Sequence, residues 1–346
     1  MSPALVSGLD DLRRHGDQEL RPGVADHAVN VLAGGPPAWL REALEAALED
    51  DTGRYPDERA AREAIAGLYG RDPAAVVPTN GAAEALWLLP LAFRPRLAAY
   101  VHPAFTEGEY ALRIHGIDVV RVLRDPDEGF ALDPGAVPAE ADLVVVGNPV
   151  SPAGTLDPCA ALLGLLQDGR TLVVDEAFMD LVAGEDESLV RESLDDVVVV
   201  RSITKSLGVP GLRAGYAVAT GANADRLRAA RPPWSANALA LAALTATVQR
   251  PEALAQAGAR ARAEREDLEH RLARVPGVRR WPSTGNFCLI EVEDGEAVVG
   301  RLAERSIAVR PAASFPGLGP GHIRLTARTP AENERLVVAL EEALGA

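Results

Sequence analysis

Residues 197–215 read Val-Val-Val-Val-Arg-Ser-Ile-Thr-Lys-Ser-Leu-Gly-Val-Pro-Gly-Leu-Arg-Ala-Gly. An unbroken β-branched run is the pattern of a strand buried on both faces, as in a parallel sheet. Ser202, Thr204, Lys205 and Arg213 follow Arg201, where the strand should end. Ligands of open α/β sheets bind at that carboxyl edge. Two hydroxyls, an amine and a guanidinium in one loop suit a bound phosphate beside a reactive amine. Lys205 is also the chain's one lysine among 35 basic residues. Arginine can stand in for lysine in a surface ion pair. It cannot act as a nucleophilic amine, because its guanidinium stays protonated. Lys205 is therefore either a remnant of drift toward arginine or a residue whose amine is needed, and its place after a strand favours the second.

Working outward, short strands are expected at Ala75–Thr79, Leu97–Val101, Asp118–Val122, Leu143–Val146, Thr171–Val174 and Tyr216–Ala219, besides Val197–Arg201. Helical patterns lie among them at Trp39–Glu49, Glu58–Tyr69, Ala82–Phe93, Thr106–His115 and Cys159–Gln167. This alternation predicts an α/β domain with a mostly parallel seven-stranded sheet. The last third changes character. A long charged helical region covers Ala238–Leu272. Strands at Asn286–Val292, Ile307–Arg310 and His322–Thr326, with helices at Glu296–Arg305 and Ala331–Leu344, make a smaller α+β unit. The expected division is a large domain over 30–229 and a small one from 1–29 and 230–346.

Bulk numbers exclude several classes. With 346 residues, 47% hydrophobic and 25% charged, the chain can bury a core without disulfides. A net charge of −15 and the lack of a basic stripe argue against nucleic acid. Cys159 and Cys288 form no CxxC, the histidines form no HExxH, and no metal site is expected. Met1–Arg14 has no apolar core, so no secretory leader is expected. Pro232–Gln249 is uncharged but Ala-rich and polar-spotted, hence a buried helix and not a membrane span. A reducing, cytoplasmic setting is the expectation.

Other strand ends carry further candidates. Asn80-Gly81-Ala82-Ala83-Glu84 opens a helix with small residues, so backbone N–H groups can approach an anion. Phe105 lies just past the second strand, as a core residue or a ring wall. Asn148-Pro149-Val150-Ser151-Pro152-Ala153-Gly154 is either a proline-rich turn or an active-site loop. Asp175-Glu176-Ala177 ends a buried strand on two carboxylates, which could bind a metal, act as a base or pair with a ligand cation.

Together these motifs resemble the fold-type-I pyridoxal-phosphate enzymes, the class I/II aminotransferase family. The matching pieces are Tyr55-Pro56-Asp57, Gly81 to Glu84, Asn148-Pro149 with Pro152 and Gly154, Asp175-Glu176-Ala177, Ser202-x-x-Lys205 and Arg213. The resemblance implies roles. Lys205 would hold the cofactor as an imine and then act as general base and acid. Asp175 would keep the pyridinium nitrogen protonated. Asn148 would donate to the ring's phenolate oxygen, and Phe105 would stack on the ring. The cofactor phosphate would be gripped by N–H groups near Gly81, Ala82 and Ala83, by Ser202 and Thr204, and by Arg213. Tyr55 would reach the phosphate of a second subunit, which implies a homodimer with shared sites. Many relatives carry a tyrosine where this chain has Phe178.

Within the family, the chain is most similar to histidinol-phosphate aminotransferases and the threonine-phosphate decarboxylases of cobalamin synthesis. His15-Gly16-Asp17 resembles the decarboxylases' His-Gly-Gly segment, and Asp26 to Pro37 their Asp-Phe-Ser-x-Asn stretch. The resemblance gives His15 the substrate phosphate and Arg324 the substrate carboxylate. Arg328 lies four residues on, so strand periodicity puts it on the same face. The leading expectation is a lyase that decarboxylates L-threonine O-3-phosphate. The alternative is a histidinol-phosphate-type aminotransferase, and the third reading is a non-catalytic relative that binds the cofactor. The first two differ in which bond at Cα is held perpendicular to the ring, which placement of the substrate anions decides.

Overall fold

A run such as Leu172-Val173-Val174 has no polar face to turn to water, so it is stable only with neighbours on both edges and both faces. The computed structural model describes residues 9–345 and forms such a sheet. Its strands are β1 (Ala25–His27), β2 (Val76–Asn80), β3 (Leu97–His102), β4 (Asp118–Leu123), β5 (Leu143–Gly147), β6 (Thr171–Asp175), β7 (Val197–Ser202), β8 (Ala214–Ala219), β9 (Arg279–Arg280), β10 (Phe287–Glu291), β11 (Ile307–Pro311) and β12 (His322–Thr326). The α-helices are α1 (Ala38–Asp50), α2 (Arg59–Tyr69), α3 (Gly81–Phe93), α4 (Glu107–Ile114), α5 (Cys159–Leu163), α6 (Gly221–Ala230), α7 (Ala238–Val248), α8 (Pro251–Leu272), α9 (Gly295–Glu304) and α10 (Pro330–Gly345).

The large sheet has the order β2-β8-β7-β6-β5-β3-β4. All neighbours run parallel except β8, which is antiparallel to both β2 and β7. Alternation along each strand splits the core into two layers. Val144, Val146, Leu172 and Val174 face α1, α2 and α7 through Leu40, Ile65 and Leu244. Val145 and Val173 face the other way, toward Leu86, Leu89 and Phe130. With helices on both faces, the carboxyl ends of the strands are left open for a ligand.

The second sheet runs β1-β11-β12-β10-β9 and packs α8, α9 and α10 through Leu268, Leu302, Leu336 and Leu340. β1 carries no sequence signal of its own. It is three residues long and pairs in parallel with β11, Ala25 opposite Ile307. That pairing brings the N-terminal segment across the small sheet, and residues 1–8 of the expected small domain lie outside the described residues. Two further differences from expectation have local causes. The charged helical region divides into α7 and α8, because Pro251 has no N–H to continue a helix and serves as the first residue of the next. α6 was hidden by its weak periodicity. Among the described residues no helix is long and apolar enough to cross a membrane.

Candidate active site

A cavity of about 510 Å³ opens at the carboxyl edge of the large sheet. Ser202, Thr204, Lys205 and Arg213 line it, together with Ala82, Ala83, Phe105 and Asp175. At one end the first turn of α3 presents free backbone N–H groups at Ala82 and Ala83, where the helix dipole favours an anion. Gly81 has φ +76° there, and a Cβ on it would sit 2.6 Å from the Arg213 guanidinium. A Cβ on Gly215 would sit 2.6 Å from the Ala82 nitrogen. Both glycines are thus needed for backbone, guanidinium and helix end to converge. Ser202 Oγ lies 2.7 Å from Thr204 Oγ1. Hydroxyl, amide and guanidinium donors converge here, the set that a phosphate cradle requires.

Lys205 and Asp175 stand beside the cradle. Lys205 Nζ donates to Asn30 Oδ1 at 3.1 Å. Burial, aided by the charges of Arg324 and Arg213, lowers its amine to about 8. Burial raises Asp175 to about 6, against a hydrogen bond from the Ala177 N–H and the charge of Lys205. A depressed amine and an elevated carboxyl in one cavity are marks of a reacting site. The lysine amine, the cradle, the Phe105 wall and a carboxylate seeking a cation fit pyridoxal phosphate group by group. Above pH 8 the Lys205 amine is mostly unprotonated and nucleophilic. Its capture of the cofactor aldehyde by apoprotein is therefore expected to accelerate about tenfold per pH unit below 8 and level off above it, as followed by the visible absorbance.

A buried ion network holds this geometry. Arg201, at the end of β7, is fully buried and pairs with Glu176 at 3.0 Å, Asp180 at 3.1 Å and Glu185 at 2.5 Å. Glu176 neighbours Asp175, and Ser206 next to Lys205 donates to Asp180 Oδ2 at 3.0 Å. The guanidinium thus ties the ends of β6 and β7 together through groups too costly to leave unpaired.

The other end of the cavity is rich in cations. Arg324 on β12 lies directly opposite Arg310 on β11, and both line the cavity. Burial and the charge of Arg310 pull Arg324 down to about 9, still cationic at neutral pH. Arg324 donates to Ser151 Oγ at 3.1 Å and to the Ala28 carbonyl at 2.7 Å, while its buried Nε lacks a partner. His15 also lines this end, its ring 5.9 Å from that of Phe105. Like charges directly across two strands are destabilising by themselves. Arg310 also donates to the Arg14 carbonyl and to Ser314 Oγ at 2.9 Å, and an anion placed between the two guanidinium groups would be attracted by both.

Four expected site residues, Gly81, Asn148, Arg328 and Tyr55, do not line this cavity, although Gly81 shapes the turn behind Ala82. Asn148 is buried with its carboxamide spent on the loop: Oδ1 accepts from the Asp157 N–H at 2.8 Å and Nδ2 donates to the Asp157 carbonyl at 3.1 Å. The loop turns beyond it, and Ser151 is the residue delivered to the cavity. Arg328 falls past the end of β12, so strand alternation no longer applies to it. Its donors hold the carbonyls of Asp26, Val29 and Val31 at 2.7–3.0 Å. It fastens the N-terminal segment instead, and the guanidinium set opposite Arg324 is that of Arg310. Arg328→Met is expected to lower the unfolding free energy by about 3 kcal/mol in denaturant titrations, whereas a substrate contact would raise KM and leave stability unchanged. Tyr55 is 74% exposed and stacks on Trp234 at 4.3 Å, away from its own chain's cavity. Asn30, Ser151 and Arg310 were missed. A signal for Arg310 existed: it ends an apolar strand, Ile307-Ala308-Val309, just as Arg324 interrupts another.

A family model described as aminotransferase class I and II matches residues 24–340. A histidinol-phosphate aminotransferase of Mycobacterium tuberculosis is 41% identical over 343 residues, covering 97% of this chain and 92% of that protein. A Caldanaerobacter subterraneus protein, provisionally named threonine-phosphate decarboxylase, is 30% identical over 90% of this chain and 88% of its own. The crystal structure of the histidinol-phosphate aminotransferase from Clostridium acetobutylicum has a TM-score of 0.87, covering 93% of this chain and 99% of that one. At 23% identity that likeness is one of fold.

Proposed function

The chain belongs to the class I and II aminotransferase family and is a pyridoxal-phosphate enzyme, and from that premise we propose that it transaminates a phosphorylated amine of the histidinol-phosphate type. The observation that carries the substrate class is the opposed pair Arg310 and Arg324 at the far end of the cavity from the cofactor cradle. Two guanidinium groups facing each other suit a dianionic phosphate. The 41% identical relative, against 30% for the decarboxylase, supports transamination over the decarboxylation expected from the sequence.

When bound, the cofactor supplies an electron sink for the bond broken at Cα. Asp175 would hold a proton on the cofactor's ring nitrogen. Lys205 would hold the cofactor, and an amine with a pKa near 8 is suited to take up and give back the proton at the substrate's Cα. Phe105 walls one side of the ring. Arg310, Arg324 and His15 fix the substrate phosphate and so orient the Cα–H bond. Phe178 lies with its ring centroid 5.8 Å from Lys205 Nζ and offers no hydroxyl to the cofactor. The exposed Tyr55 sits beside a groove lined by Pro56, Ala238, Leu241 and Thr245, in keeping with a homodimer in which it completes the partner's phosphate cradle.

One observation favours decarboxylation as a second reading. Ser151 with Arg324, and His15 with Arg310, make two anion anchors, enough for a carboxylate and a phosphate on one substrate. Purified protein with histidinol phosphate and 2-oxoglutarate is expected to yield glutamate, whereas O-phosphothreonine is expected to release little CO2. The reverse result would install the decarboxylase reading, and no turnover of either compound would overturn both.

A further inference from the structure

We propose that Glu107 is a positioning residue that aims His15 at the substrate phosphate. The inference rests on the reading that this end of the cavity receives a phosphate. Glu107 opens α4, and its side chain is only 7% exposed. Both its carboxylate oxygens are engaged. Oε1 accepts from His15 Nε2 at 2.7 Å, and Oε2 accepts from the Trp87 indole N–H on α3 at 2.8 Å. Burial would raise this carboxyl, but the bonds from His15 and Trp87 outweigh burial and hold it below the usual range. The carboxylate is thus a fixed, charged anchor set by two helices.

What it anchors is a segment 92 residues away in the chain. Thr106 Oγ1 donates to the Leu12 carbonyl at 2.5 Å, and the Arg13 guanidinium lies 5.0 Å from the Tyr110 ring centre. These contacts dock residues 12–15 on α4. A carboxylate can only accept, so Nε2 of His15 carries its hydrogen, and Nδ1 is the ring nitrogen left for a ligand. A neutral ring would offer Nδ1 as a lone pair, which repels phosphate. A charged ring offers a second N–H. With Glu107 holding Nε2, the opposite nitrogen of such a ring is turned to the ligand and can donate to a phosphate oxygen. Glutamine has a single carbonyl, which cannot accept from both His15 and Trp87 in the way the two carboxylate oxygens do.

The test measures ligand binding to holoenzyme through the cofactor's visible spectrum. Histidinol phosphate and O-phosphothreonine are the probes, with histidinol as the phosphate-free control. Glu107→Gln is expected to weaken both phosphorylated ligands about tenfold and histidinol less than twofold. His15→Ala is expected to weaken them at least as much, and the double variant no further than His15→Ala alone, because Glu107 acts through His15. Additive losses in the double variant, or equal losses for histidinol, would overturn the proposal. If His15→Ala weakens phosphorylated ligands and Glu107→Gln does not, the positioning role falls while the phosphate reading stands. If His15→Ala has no effect, the proposal falls, and loss of phosphorylated-ligand binding in Arg324→Met decides separately whether this end receives a phosphate. Should Glu107→Gln not fold, Trp87→Phe removes one bond to the same carboxylate. A two- to threefold weakening confined to the phosphorylated ligands then supports the proposal, and any other pattern overturns it.

Discussion

Lys205→Ala is expected to abolish the visible absorbance of the cofactor-bound enzyme and to cut kcat by about 10⁴-fold. No other lysine exists in the chain, so no neighbouring side-chain amine can take over the covalent attachment. Lys205→Arg should fail equally. It keeps the positive charge and much of the volume, yet a guanidinium neither forms an imine nor gives up a proton near neutral pH. The arginine variant therefore separates chemistry from charge, which alanine alone does not. Spectra and single-turnover rates of both variants check the expectation. A retained visible band in either one would remove Lys205 from the reacting role.

Asp175→Asn is the second large effect, expected at about 10³-fold in kcat, with cofactor affinity falling less than tenfold. The residue sits at the end of β6, where burial lifts its carboxyl to about 6, outweighing the Ala177 N–H and the charge of Lys205. A protonated ring nitrogen supplies the missing cation and restores the carboxylate. Asparagine carries no charge to hold that proton, so electron withdrawal at Cα is lost while the phosphate cradle stays intact. Stability distinguishes this from misfolding. A carboxyl raised in the folded state binds its proton more tightly there, so its contribution to stability falls as pH rises through the window from 3.8 to about 6. At pH 7 the apoprotein of Asp175→Asn is therefore expected to be at least as stable as the parent, read by denaturant midpoint. A kcat loss under tenfold would place the nitrogen's partner elsewhere.

Both predictions rest on residues legible in the chain itself. Lys205, Asp175, Ser202, Thr204, Arg213 and the Gly81 turn each sit within a few residues of a buried strand's end. Local pattern locates the strand, and the strand locates the residue. The same logic failed at Asn148 and Arg328, where the chain leaves the strand before the residue in question. Whether Asn148 or Ser151 meets the cavity depends on how the loop turns. Alternation says nothing there, and Asp157, nine residues further on, captures the Asn148 side chain. Likewise, the second cation could not be found by counting along β12. It stands opposite Arg324 on β11, and cross-strand register is set by the packing of whole elements.

The amino-acid sequence by itself determined the parallel sheet and the cofactor class and singled out the amine proposed to carry its chemistry, because these depend on short-range pattern and residue type. The tertiary structure alone decided which groups meet at the proposed substrate end: Arg310 against Arg324, Ser151 in place of Asn148, and His15 held by Glu107 across 92 residues. Those contacts come from β1 crossing to the small sheet and from the N-terminal segment docking on α4. Each joins residues far apart in the chain, and their encounter is fixed only when both sheets have packed.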